Sequence, residues 1–238
     1  MLLFPSPYIV PAPGGGLIGH DQPQVIINST AVGPVYTGNI TGVEVGDLMI
    51  VALGGWVGAT EDPALWTVTI DGLAPTMKRF AFKSSLSFGG ALYSAVAANA
   101  GSIPLSVTIP ESGRALAATG WRLRGGAGAT LIGTGASPNG MTSDVTSFSQ
   151  PPTGLITSAD GNAVLSAMMT KDGNIGAQIG ISGVDGGTAG QTGTNATNDV
   201  SHAHGYSFHP TAGASVTHVY NWTTSIRGWC FHAEVGVL

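Results

Sequence analysis

The stretch "YSAVAANAGSIPLSVTIPESGRALAATGWRLRG" (93–125) decides the fold, because an echo of it closes the chain as "YSFHPTAGASVTHVYNWTTSIRGWCFHAEVGVL" (206–238). In the first, Leu105, Val107 and Ile109 alternate with Ser106 and Thr108. In the second, Trp229, Phe231, Ala233 and Val235 alternate with Cys230, His232 and Glu234. Successive side chains of a strand point to opposite faces, so a period of two marks half-buried antiparallel strands.

Working outward, a constant offset of 113 residues lays Tyr93 on Tyr206, Arg114 on Arg227 and Leu116 on Trp229. Upstream, "VGDLMIVALGG" (45–55) is answered by "DGNAVLSAMMTKDG" (160–173). Each copy runs turn, buried strand, variable middle, aromatic strand, "AG" turn, alternating strand, Ser-rich turn, final strand. An ordered series of this kind marks an internal duplication, residues 24–125 and 128–238. The run "LMIVAL" (48–53) is apolar without interruption and fits a strand covered on both sides. No amphipathic helical period stands out. The expected fold is all-β: an antiparallel β-sandwich or jelly roll built from two similar halves within one compact unit, 24–238. Residues 1–23 precede it as an extended tail, punctuated by Pro5, Pro7, Pro11 and Pro13.

Composition narrows the function. Charged residues are 9% of the chain, against roughly 25% in an average soluble domain, so the surface is built from small polar residues. The 37 Gly and 14 Pro argue against a helical protein, and 43% hydrophobic content argues against disorder. A net charge of -5, with eight scattered Lys and Arg, excludes the basic footprint of a nucleic-acid partner. Cys230 is the single cysteine, which leaves no intrachain disulfide and no Cys-based zinc cluster. The N-terminal prolines break any signal-peptide core, and no apolar run reaches membrane-spanning length, so no membrane insertion is expected.

Catalytic patterns are thin. No G-x-S-x-G occurs, and the adjacent Glu61 and Asp62 would point apart on a strand rather than face one another across a substrate. The chain is therefore expected not to be an enzyme and to hold no cofactor. The segment "SGVDGGTAGQTGTNATNDV" (182–200) has no apolar period and reads as an exposed, adaptable loop leading into "SHAHGYSFHP" (201–210). Thr188, Gln191, Asn195, Asn198, His202 and His204 are its candidate contact residues. On a strand, His202 and His204 would project the same way, roughly 6–7 Å apart, as two metal ligands. One chain offers only that pair, so a metal reading requires an oligomer axis to bring further copies together.

The tail residues Leu2, Leu3, Phe4, Tyr8, Ile9 and Val10 cannot form a core alone. They require either the chain's own sandwich or a partner's groove or sheet edge.

At "GDLMIVALGG" and the 93–125 stretch the sequence resembles a group of virion-associated proteins of tailed bacteriophages and gene transfer agents. The group's loose pattern is a "GDLL" turn and strand, a "Y-R-V-A" strand and an "A-A-x-x-x-x-Y-R-G" ending, often doubled. Gly46, Asp47 and Leu48 match its first element, Tyr93, Ala95 and Val96 its second, and Ala117, Trp121, Arg122 and Gly125 its third. In the second copy Asn162 stands at the turn Asp, and "AEVGVL" lacks the Arg-Gly. The resemblance implies a non-enzymatic fibre, spike or head-decoration subunit on the virion exterior. Its tail would anchor it to a portal, capsid, tail or baseplate component. The subunit would form a homo-oligomer, a trimer above other states, and its distal loop would meet a host surface glycan. Two other readings compete: a carbohydrate-binding sandwich using Trp56 or Trp66 as a stacking platform, and a hydrolase that trims host polysaccharide.

Overall fold

The computed structural model describes residues 19–20, 24–30, 33–56, 62–83, 87–113, 115–124, 126–131, 140–156, 162–171, 179–191, 200–208 and 212–237. The first half contributes β1 (Gly19–His20), β2 (Gln24–Ser29), β3 (Gly33–Val43), β4 (Leu48–Trp56), β5 (Thr67–Ile70), β6 (Thr76–Lys83), β7 (Phe88–Val96), β8 (Gly101–Gly113) and β9 (Ala115–Arg124). The second contributes β10 (Gly126–Leu131), β11 (Gly140–Ile156), β12 (Ala163–Lys171), β13 (Gly180–Ser182), β14 (Gly186–Gln191), β15 (Val200–Phe208) and β16 (Ser215–Val237). A single 3-10 turn, Pro63–Leu65, is the one helical element among the described residues. The fold is all-β and its ladders are antiparallel.

One large sheet has the order β1-β9-β4-β7-β6, with β2 also on β9, and is covered by a small sheet β3-β8-β5. The other large sheet runs β10-β16-β12-β15-β14. Its cover comes from the leading part of the same β16, which carries β11 on one side and β13 on the other. The second half thus repeats the pairing pattern of the first, with β11 in the places of β2 and β3 and β16 in those of β8 and β9, and no described ladder crosses residue 125.

Period-two patterning explains the layers. β4 is apolar on both faces because it has a core on each side. Met49, Val51 and Leu53 pack with Leu105, Val107 and Ile109 beneath the small sheet. Leu48, Ile50 and Ala52 face the second half's large sheet, meeting Leu165, Met169 and Trp229. A third, smaller core joins Met168 and Ala203 to Tyr220 and Trp222. The two large sheets therefore stack through a shared apolar seam.

The seam has a built key. A Cβ on Gly90 would lie 1.8 Å from the Trp229 indole, and one on Gly54 would lie 2.3 Å from the Met169 sulfur. The bare backbone of β4 and β7 is what admits the Trp229 ring. At the sheet's rim, Gly46 takes φ +89°, a left-handed value that glycine adopts without a Cβ clash.

One sequence expectation needs correcting. The single offset of 113 sets Leu116 against Trp229 and Tyr93 against Tyr206, yet the members of each pair face opposite ways. Leu116 and Tyr93 point into the first half's own core, whereas Trp229 and Tyr206 point into the seam. A slip of one residue turns every side chain of a strand over, so the repeat cannot be held in one register along all its strands. Matched by position in the sheet, Asp47 corresponds to Asn162 and Arg122 to Glu234.

Candidate functional site

The histidine stretch is not a loop. Val200–Phe208 is an inner strand, hydrogen-bonded to β12 on one side and to β14 on the other. His202 and His204 are 1% and 0% exposed. Their neighbours two residues away, Val200 and Tyr206, belong to the seam. His204 meets Trp121 of β9 edge-on, with centroids 6.0 Å apart, so both imidazoles face the first half's large sheet. The sequence expects contact and metal roles for His202 and His204; in the fold their rings are enclosed by their own chain. The preceding "loop" is corrected too, since Gly186–Gln191 forms an edge strand. Thr188 and Gln191 lie on that strand, while Asn195, Asn198 and the tail residues Leu2, Leu3, Phe4, Tyr8, Ile9 and Val10 lie outside the described residues.

The pair keeps the spacing that a strand dictates. The two rings are stacked, 6.3 Å apart and inclined by 3°. The described residues contain no cluster of three or more His, Cys, Asp or Glu placed to hold a metal. Both ring nitrogens of His202 are buried without a hydrogen-bond partner among the described residues. Burial holds its pKa down at about 4, because a charged imidazolium there would lose its hydration. Its chemistry is that of a neutral, acid-sensitive packing group.

A second polar cluster lies on the opposite face of the same sheet. Ser166 Oγ is 2.5 Å from His218 Nδ1 and 2.5 Å from the Tyr220 hydroxyl, while Ser207 Oγ is 2.9 Å from His218 Nε2. The Tyr220 hydroxyl also donates to the Ser166 carbonyl at 3.2 Å. A neutral imidazole has one donor and one acceptor nitrogen, and hydroxyls can serve either. The cluster satisfies both nitrogens whichever way its protons run. The serine partners of His218 cannot be singled out from the sequence, since serine is abundant throughout. All of these groups are buried, with Ser166 and His218 at 0% exposure.

The turn before β4 forms the third polar arrangement. Asp47 is 1% exposed; its Oδ2 accepts the Glu44 N–H at 2.8 Å, and Arg124 Nε donates to its Oδ1 at 3.5 Å. Arg122 Nε lies 3.8 Å from the same carboxylate, and Arg124 also pairs with Glu44 at 2.5 Å. At the corresponding place in the second half, Asn162 Nδ2 donates to Glu234 Oε1 at 2.6 Å. Of the two candidate stacking tryptophans, Trp66 is buried in the first half's core and Trp56 is half-buried against the seam.

No family model matches the chain, and no curated protein matches it. Among solved structures, the extracellular domain of ANXUR1 from Arabidopsis thaliana is 6% identical, with 90% of this chain and 83% of that chain covered and a TM-score of 0.28. The major capsid protein of bacteriophage PM2 is 9% identical, with 91% and 98% covered and a TM-score of 0.26. Likeness at this level carries no argument.

Proposed function

We propose that this chain is a non-enzymatic structural subunit of a bacteriophage virion, a head or tail fibre or spike on the particle's exterior. The observation that carries the reading is the shared seam: two sandwiches of the same strand pairing are keyed together by Trp229 across Gly54 and Gly90. Such a block resists bending between its halves. Two of its buried polar clusters are tied up internally, the Ser166–His218–Ser207 chain and the Asp47 turn. The residues that resemble the virion-associated group, Gly46 to Leu48 and Tyr93 to Val96, sit at that turn and on the strand beside β4, where they hold the sheet rather than carry chemistry. The apolar segment Leu2–Val10 serves as the anchor to a portal, capsid, tail or baseplate neighbour.

Immunogold labelling of intact particles with an antibody against this chain tests the reading. Discrete label on the particle surface is the expected result, and label absent from purified particles would overturn it. Deleting residues 1–16 should abolish incorporation while the truncated chain stays folded. Release of oligosaccharides from host polysaccharide by the purified chain would sink the non-enzymatic part.

A further inference from the structure

Free sheet edges are templates for further strands, and proteins blunt them with charges, prolines, bulges or brevity. The other outer strands here each carry such a device. β6 brings Lys78, Arg79 and Lys83 and a register break between Met77 and Arg79. β2 breaks register between Val25 and Ile27, and β10 between Gly126 and Gly128. β3 holds Pro34 and two breaks, and β11 holds Pro151 and Pro152 and three breaks. β1, β5 and β13 have only two, four and three residues.

β14 is the exception. Its sequence, "GGTAGQ", has no charge and no proline, and all six residues pair with β15 without a break. It ends the order of its sheet, and no described strand lies on its outer side. The contrast is sharpest with β6, which fills the same position in the first half's sheet and is both charged and bulged.

We infer that β14 is a homotypic interface, where a second copy of this chain adds its own β14 antiparallel and joins two large sheets into one. Self-pairing suits this strand because small uncharged side chains oppose no like charges. The symmetry follows from the geometry. Two antiparallel copies of one strand are related by a two-fold axis normal to the sheet, which keeps every residue on its own face. Position 188 of one copy then meets position 188 of the other, directly or on the diagonal. The result is a dimer rather than the trimer favoured by the sequence.

The inference deepens the homo-oligomeric part of the reading above and is independent of where on a particle the chain sits. Sedimentation velocity on the full-length chain tests it, with Thr188→Lys and Thr188→Glu prepared separately. The unmodified chain is expected to be dimeric, each variant alone monomeric, and an equimolar mixture of the two dimeric again. Recovery in the mixture shows that the variants are folded and that opposed charges at one edge govern pairing. A monomeric or trimeric unmodified chain, a variant that stays dimeric alone, or a mixture that stays monomeric would each overturn the inference. None of these outcomes bears on particle labelling, so the two readings fail separately.

Discussion

The two halves of this molecule share one plan of strand pairing and fill it with different chemistry. Beneath the first small sheet the core is almost wholly apolar, with Leu105, Val107 and Ile109 lining it. In the corresponding strand of the second half, His218 and Tyr220 flank each other on the buried face and are held by Ser166 and Ser207. At the rim, the first half uses a carboxylate between two guanidiniums, and the second an amide against a carboxylate. A sheet pairing therefore does not dictate an apolar interior. It dictates which positions are enclosed, and a polar group survives there when its partners are enclosed with it.

The largest effect should come from the place where the halves meet. Trp229→Ala empties the slot that the glycines of the first large sheet leave for the second sheet's indole and should cost about 3–5 kcal/mol, the range for deleting a buried indole. Because both halves lean on that ring, urea unfolding followed by tryptophan fluorescence and by circular dichroism should shift together. Separate shifts would show that the halves are energetically independent.

Acid should act on the same seam. The folded pKa of His202 is about 4, below the ordinary 6.5, so the unfolded chain takes up the proton first as pH falls. The stability it supplies is complete above about pH 6.5 and drains away as pH drops through about 4, by up to roughly 3 kcal/mol. Urea midpoints at pH 7, 5 and 4 should fall for the unmodified chain and fall less for His202→Leu. Parallel decline in both proteins would assign the acid sensitivity elsewhere.

Exchanging the rim groups sharpens the comparison between halves. Asn162→Asp would set two carboxylates where the amide now donates at 2.6 Å, with residues 162 and 234 only 4% and 6% exposed. The variant should lose about 2 kcal/mol at pH 7. The mutual repulsion raises the folded pKa of the pair, so the loss should shrink as pH falls and the pair takes up a proton. Asp47→Asn should cost less, about 1 kcal/mol, because Arg122 and Arg124 are 14% and 29% exposed and water can replace the lost charge. Thermal melts at pH 7 and 5 read both, and an equal penalty for the two exchanges would erase the distinction.

Alternation made much of this legible in the sequence. Leu105, Val107 and Ile109 are each at 0% exposure, and the unbroken "LMIVAL" run does have a core on both faces. The site was not legible, for reasons that particular residues make plain. "GGTAGQ" looks like a loop because its side chains are small, but a strand needs only backbone partners, and β15 supplies them. "SHAHG" looks like an exposed tip because imidazole is polar, yet its fate is set by Trp121 of a strand some eighty residues earlier. Gly54 of β4 and Gly90 of β7 make room for an indole across the seam, which nothing in their own segments announces. The last two failures concern residues whose partners are distant in sequence, which local patterning does not encode.

β16 runs 23 residues, its leading part in the cover of the second half and its trailing part in the middle of the large sheet beneath. Tension along it would load two hydrogen-bonded layers in shear at once, so the ladders on both must give way together instead of opening one rung at a time. A single continuous strand thereby ties the two layers of the second half into one mechanical unit.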